Sequence, residues 1–256
     1  MEIIIEPDAA ALAGRAAQVV FAELAKKADL VLGLATGKTP VGLYEKLRTR
    51  PDAFAQVRFF NLDEFFGLPP SDPNSFNYFL QFHLIKHIKH HEKNLHLFRG
   101  DVKDLEALAR EVEEKIQAVG GIDLQILGIG KNGHIGFNEP GSSLGSRTRP
   151  KTLEASTLAE YMKTVDSRSP VSSFAITLGV GTIMDARHLL MLASGSGKAD
   201  IIREMVEGPI TSEIPATCLQ LHPRATVVLD EEAAAKLKRR DYYKWVFENK
   251  WCVSQK

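Results

Sequence analysis

The densest chemistry in the chain lies between Asp123 and Gly141, in the stretch D-L-Q-I-L-G-I-G-K-N-G-H-I-G-F-N-E-P-G. Residues 123–129 are a short apolar run of the kind that makes a fully buried parallel strand. The character then changes, and Gly130, Gly133, Gly136 and Gly141 are interspersed with Asn132, His134, Asn138 and Glu139. Imidazole titrates near neutral pH and a nearby carboxylate can fix its tautomer, so His134 with Glu139 suits proton shuttling. A buried strand that empties into such a loop puts it at the carboxyl edge of an α/β sheet.

Two motif matches inside this stretch fail on context. Gly128-x-Gly130-x-x-Gly133 has the dinucleotide spacing, but the chain runs on through Gly136 and Pro140 with no helical period to meet a pyrophosphate. Gly141-x-Ser143-x-Gly145 has the hydrolase-elbow spacing, but follows a Pro-Gly turn and not a strand.

Other strand exits also carry chemistry. Thr36-Gly37-Lys38-Thr39 precedes a helix and offers backbone N–H groups and hydroxyls to a phosphate, with a bare helix-capping turn as the alternative. It misses the nucleotide P-loop by one residue, because Gly33 to Gly37 leaves three positions where four are needed. Lys198, after Gly195 and Gly197, is either a counter-charge for the same anion or a solvated lysine. Asp63-Glu64 stands among Phe59, Phe60, Leu62, Phe65 and Phe66. The residues alone leave open a desolvated general base or a helix-capping acid. His83, His87, His90 and His91 lack an acidic or cysteine partner that would complete a metal set, so they read as a solvated helix face.

The elements that must position these residues alternate. Strands are expected at Ile3–Ile5, Leu30–Ala35, Val57–Asn61, Asp123–Ile129, Ala175–Thr177, His188–Ala193 and Ala225–Leu229. Helices are expected from Asp8 to about Lys27, Pro40 to Arg50, Asn74 to Ile88, Asp101 to Val119, near Gly181–Asp185, onward from Lys198 to Val206, and Glu231 to Val246. The order implies a doubly wound, mostly parallel sheet with helices on both faces, a three-layer αβα, Rossmann-like fold in one domain over residues 1–256.

Composition narrows the class. The chain has 256 residues, 44% hydrophobic, enough to bury one substantial core. Lys+Arg and Asp+Glu are both 32, so nothing favours nucleic acid or an anionic membrane as partner. Cys218 and Cys252 make neither a disulfide framework nor a metal spacing, which fits a reduced, cytoplasmic setting. Met1–Glu6 reads as a strand and not a signal peptide, and no apolar run approaches a membrane span.

Five blocks together carry a resemblance: G-L-A-T-G-K-T-P ending at Pro40, F-N-L-D-E-F around Asp63, G-I-G-K-N-G-H-I-G-F-N-E-P-G around His134, L-G-V-G-T ending at Thr182, and C-L-Q-L-H-P from Cys218 through His222. In this order, from about Ile3 to Arg240, they resemble the glucosamine-6-phosphate deaminase family. The resemblance implies an αβα sheet without metal or cofactor. The implied reaction converts glucosamine 6-phosphate and water to fructose 6-phosphate and ammonia. It implies that Asp63 moves the C2 proton to C1, that His134 opens the sugar ring, and that Glu139 and Asn132 orient that histidine. Thr36, Gly37, Lys38, Thr39, Lys163 and Lys198 would take the substrate phosphate, Lys163 standing where many members have arginine. Position 132 is aspartate in some members, and Lys38 replaces a glycine.

Ser142, Arg149 and Lys151 are similar to the site where some members bind N-acetylglucosamine 6-phosphate as an activator. In those members the site lies between subunits of a hexamer, so a homo-oligomer is implied, with Tyr242 or Tyr243 as candidate C-terminal contributors. A 6-phosphogluconolactonase shares the fold, but needs no carbon proton transfer and leaves Asp63 without a purpose. A sugar-phosphate sensor that regulates transcription would need a DNA-reading module, which this amino-terminal strand does not provide.

Overall fold

The computed structural model describes residues 1–163 and 171–250. In chain order its elements are β1 (Glu2–Glu6), α1 (Ala9–Lys26), β2 (Val31–Leu34), α2 (Lys38–Leu47), β3 (Arg58–Asn61), β4 (Asp63–Phe65), α3 (Phe76–His83), β5 (Leu95–His96) and α4 (Leu105–Ala118). They continue with β6 (Leu124–Leu127), β7 (Arg149–Thr152), α5 (Ala155–Met162), β8 (Phe174–Thr177), α6 (Val180–Met184), β9 (Leu189–Ala193), α7 (Ala199–Glu207), β10 (Ala225–Asp230) and α8 (Arg240–Glu248).

Seven strands form one parallel sheet in the order β1-β10-β9-β6-β2-β3-β5. Every residue of β2, β6, β9 and β10 is buried, so both faces of the sheet are covered, as a doubly wound parallel sheet requires. From β2 the chain winds outward to β3 and β5, then returns to place β6 on the other side of β2. This reversal opens a crevice between the carboxyl ends of β2 and β6, the place where such sheets bind ligands.

A second sheet, β4-β8-β7, is antiparallel and pairs Asp63 and Arg149 with opposite edges of Thr177. Asp63-Glu64, expected at the exit of β3, therefore lies in a strand of its own. Behind this sheet Phe65, Phe76, Phe137 and Tyr161 form an aromatic cluster, with ring centroids 5.0–5.6 Å apart in tilted, stacked and edge-on pairs.

Several expected boundaries move for physical reasons. α2 starts at Lys38, two residues before Pro40, with Gly37 as its N-cap. The helix expected to reach Ile88 ends at His83, whose carbonyl is taken at 2.6 Å by Arg48 Nε and is lost to the next turn. His87 consequently falls in a separate 3₁₀ turn, so His83 and His87 share no continuous helix face. His83 is half-buried, its ring tilted against Phe79 with centroids 4.3 Å apart. The last helix starts at Arg240 and not Glu231, because the Lys238 and Arg239 N–H groups bond Glu207 at 2.9 Å each and Ala233 and Ala234 sink into the core. Elements β5, β7 and α5 and the 3₁₀ turn Pro215–Leu221 carry no clear sequence period.

Candidate active site

On one side of the crevice, β2 runs into Ala35-Thr36-Gly37. The buried Tyr44 hydroxyl pins that exit, donating to the Ala35 carbonyl and accepting the Ala35 N–H at 3.2 Å. Gly37 makes no side-chain cap bond, and Thr36, Gly37, Lys38 and Thr39 are all partly or fully exposed, so the first-turn N–H groups of α2 face an accessible space.

On the other side, β6 runs into the glycine loop, which closes on itself where Gly130 N–H donates to the His134 carbonyl at 2.9 Å. The His134 ring lies flat against Gly130: a Cβ there would meet its Cε1 at 2.3 Å, so glycine is required for the ring to occupy this place. The loop leads to β7 and not into a helix, so the dinucleotide spacing has no helix to serve, and Ser143 Oγ accepts the Gly145 N–H at 3.3 Å.

Glu139 is 4% exposed and its Oε2 lies 3.5 Å from His134 Nδ1. Burial opposes its charge, but His134, the Thr157 hydroxyl and the Asn132 amide outweigh that cost and hold its pKa below the ordinary carboxylate value. Glu139 is thus the ionised partner of the imidazole. Asn132 does not bond the imidazole at all. Its Oδ1 accepts the His134 backbone N–H at 3.2 Å, while its Nδ2 donates to Glu139 at 2.9 Å and Glu154 at 3.0 Å.

Asp63 comes to the same place from β4. It is 4% exposed, and burial together with the neighbouring Glu64 charge pushes its pKa well above the ordinary value. Glu64, the other candidate acid, is structural. It accepts N–H bonds from Phe65, Phe76 and Asn77 at 2.9, 3.0 and 2.8 Å and so caps the start of α3. Burial nevertheless raises its pKa to about 7 against those bonds.

The small sheet fastens the loop to Asp63. Phe137 N–H donates to the Thr177 hydroxyl at 3.1 Å, and Asn138 Nδ2 donates to the Ile135 and Leu178 carbonyls at 2.9 and 2.8 Å. Gly136, between His134 and Glu139, has φ +55°, and a Cβ on it would lie 2.8 Å from Thr177 Oγ1 and 3.5 Å from Asp63 Oδ2. A left-handed residue without a side chain is what lets the loop pass that close. Asp63, His134, Glu139 and Asn132 are thereby assembled around one loop.

Lys198 also reaches this loop, donating to the Ile129 carbonyl at 2.7 Å; burial and Lys131 push its pKa down. The Ser194–Ser196 segment ahead of it does not offer free N–H groups, since Gly195 N–H is held by Asp230 at 3.0 Å and Ser196 N–H by Glu232 at 3.1 Å. Lys163 stands apart, exposed at the end of α5 and 3.4 Å from Glu160, which also holds Lys131 at 3.0 Å.

Ser142 is 3% exposed, with its hydroxyl buried and, among the described residues, unpartnered; its N–H donates to the Glu139 carbonyl at 3.0 Å. Arg149 and Lys151 alternate along β7 and so face the same side. Arg149 reaches Asn138 Oδ1 at 2.9 Å, which ties β7 to the active loop. Tyr242 and Tyr243 line a cavity of about 530 Å³ with Ile3, His188 and Ala225 at the amino edge of the main sheet, away from this site. Among the described residues no group of three or more His, Cys, Asp or Glu side chains could hold a metal. Cys252 lies outside the described residues. The residues that sequence reasoning missed are Thr157, Thr177, Glu154 and Tyr161, each brought in from a distant segment with no local motif to mark it.

Fold and site together define a doubly wound α/β protein with a carboxylate–imidazole pair at its switch point. Its residues 7–228 match the family model of glucosamine-6-phosphate isomerases/6-phosphogluconolactonase, and the chain belongs to that family. It is 47% identical over 250 residues to glucosamine-6-phosphate deaminase of Hahella chejuensis, covering 96% of this chain and 95% of that one. It is 44% identical to glucosamine-6-phosphate deaminase 2 of Bacillus subtilis, covering 94% and 100%. A solved monomeric glucosamine-6-phosphate deaminase superposes with TM-score 0.88 at 37% identity, over 92% of this chain and all of the other. The 6-phosphogluconolactonase of Leishmania guyanensis shares the fold, with TM-score 0.72 at 22% identity, over 91% of this chain and 97% of that one.

Proposed function

We propose that this chain is a glucosamine-6-phosphate deaminase, converting glucosamine 6-phosphate and water to fructose 6-phosphate and ammonia. The observation that carries the reading is the desolvated Asp63 carboxylate beside the His134–Glu139 loop. A carboxylate with a raised proton affinity is a better acceptor of a carbon-bound proton, and moving such a proton is the step that isomerisation needs and lactone hydrolysis lacks. The relatives named as deaminases at 41–47% identity support the same choice.

In this reading the phosphate binds at Thr36–Thr39 and Lys198, with Lys163 supplied from the end of α5. Binding energy from that remote group holds the reacting carbons in place. His134, with ionised Glu139 beside it, moves a proton between the anomeric hydroxyl and the ring oxygen and opens the ring. Asp63 then takes the C2 proton and returns it to C1, leaving an imine at C2. Water adds to that carbon, and the C–N bond breaks to release ammonia and the ketose. Ser142, Arg149 and Lys151 form the N-acetylglucosamine 6-phosphate site, and the Arg149–Asn138 bond is the route from it to the loop. The enzyme acts in the cytoplasm as a homo-oligomer, with a hexamer the form implied by such an effector site. Among the described residues, no helix is long and apolar enough to cross a membrane.

The test is to incubate purified protein with glucosamine 6-phosphate and assay ammonia and fructose 6-phosphate together. Equimolar appearance of both is expected, and absence of either rejects the reaction.

A further inference from the structure

Both hydrogens of the Asn132 amide are used. An amide nitrogen carries two hydrogens, and here one goes to Glu139 and the other to Glu154. Its oxygen is taken by the His134 N–H. Turning the amide over would set its oxygen against two carboxylates and its NH₂ against a donor, so the hydrogen-bond network permits one orientation. The Glu139 oxygen that Asn132 holds is the same Oε2 that faces His134 Nδ1. A continuous chain of contacts therefore runs from Glu154 through Asn132 and Glu139 to the imidazole.

Glu154 enters from a separate element. It precedes α5 with extended backbone at the N-cap position, where an acid ordinarily accepts an N–H of its own helix. Its side chain caps nothing there and turns to Asn132 instead. Tyr161 anchors α5 in the aromatic cluster, packed against Phe65, Phe76 and, on the loop itself, Phe137. Thr157, one turn into the helix, is 5% exposed, and its hydroxyl helps to lower the Glu139 pKa.

The chemistry at 132 and 154 is complementary. An aspartate at 132 would face the Glu139 and Glu154 carboxylates at hydrogen-bond distance with no proton between them, and like charges that close force one group to protonate. We infer that Glu154 is a positioning residue of the active loop, which acts through Asn132 to hold Glu139 and hence His134, and that positions 132 and 154 form a matched amide–acid pair. The titratable groups on the neighbouring segments have partners of their own. Lys131 is ion-paired to Glu160, Lys198 lies on the Ile129 carbonyl, and the Tyr161 hydroxyl feels both Asp63 and Glu139.

Only the turnover readout of the following test rests on the deaminase reading. Wild type, Glu154→Ala, Asn132→Asp and the exchange Asn132→Asp/Glu154→Gln are compared after thermal melts establish that each is folded. His134 is titrated by NMR without substrate, and kcat and KM for glucosamine 6-phosphate are measured across pH. Glu154→Ala is expected to lower kcat about tenfold, the scale of one charged hydrogen bond, with KM changed less than about twofold. Its His134 titration moves to lower pH, because one carboxylate is gone. Asn132→Asp moves that titration to higher pH and lowers kcat at least as far. The exchange returns the titration toward wild type and recovers kcat about fivefold over Asn132→Asp. Wild-type titration and kcat in Glu154→Ala, or an exchange as impaired as Asn132→Asp alone, would overturn the inference. A wild type that releases no ammonia overturns the deaminase reading instead, and the NMR titrations still decide the pairing.

Discussion

The two sheets of this molecule divide its labour. The seven-stranded sheet is parallel, and its central strands β2, β6, β9 and β10 are buried along their whole length in the main hydrophobic core. The three-stranded sheet is small and antiparallel, and it buries Asp63, Glu64, Thr177 and, through Thr177, the loop carrying His134. The large sheet makes a crevice by topology alone, whereas the small one fills it with charge at an energetic cost. Buried polar groups are costly unless paired, so the small sheet is where sequence, stability and function conflict.

That division can be broken by single changes. Asp63→Asn in the small sheet should lower kcat by at least about 10²-fold, the usual scale of general-base loss, with KM and the thermal midpoint nearly unchanged. A variant retaining more than about a tenth of wild-type kcat would remove Asp63 from the chemistry. Leu127→Ala, at a fully buried position in β6, should do the reverse. It should cost about 3 kcal/mol of unfolding free energy while the folded fraction keeps its kcat, as urea titration and active-site counting would show. Loss of kcat per folded molecule would mean that the two sheets are not separable.

Gly130→Ala sharpens the boundary between them, since its Cβ meets the His134 ring while leaving the β6 core untouched. A loss of about tenfold in kcat with an unchanged melting point is expected from a displaced imidazole. The smallest effect concerns pH. Glu64 has a folded pKa of about 7, raised by burial, and Asp63 is shifted the same way. The unfolded chain releases these protons first as pH rises, so their contribution to stability is present below about pH 4.5 and is lost as pH passes 7. Urea midpoints between pH 5 and 8 should fall less in Glu64→Gln than in wild type, and parallel curves would show Glu64 to be ionised throughout.

The same division explains what could be read from the amino-acid order. β1, β2, β3, β6, β9 and β10 fall within a few residues of their expected places, and for β2, β6, β9 and β10 the reason is that a strand buried on both faces reads as a mostly apolar run. Thr36, Asp63, His134 and Glu139 were visible because glycine and polar residues interrupt those runs. β7 escaped notice because Arg149-Pro-Lys-Thr152 has no apolar alternation, and it becomes a strand only by pairing with β8. Glu64 and Asp63 looked equivalent in sequence. Successive strand residues point to opposite faces, and only the structure shows which one meets α3 and which the crevice.

The position of β1 has a consequence for how the molecule is made. Its partner in the sheet is β10, with Glu2 beside Thr226 and Glu6 beside Asp230. A ribosome adding about 5–20 residues per second leaves the first strand without its neighbour for on the order of ten seconds or more. During that interval the nascent chain carries an apolar edge that no local hairpin can cover, and β9 lacks its outer partner as well. Closure of the sheet must therefore wait until β10 has been made, and chaperone demand should track the delay before β10 emerges.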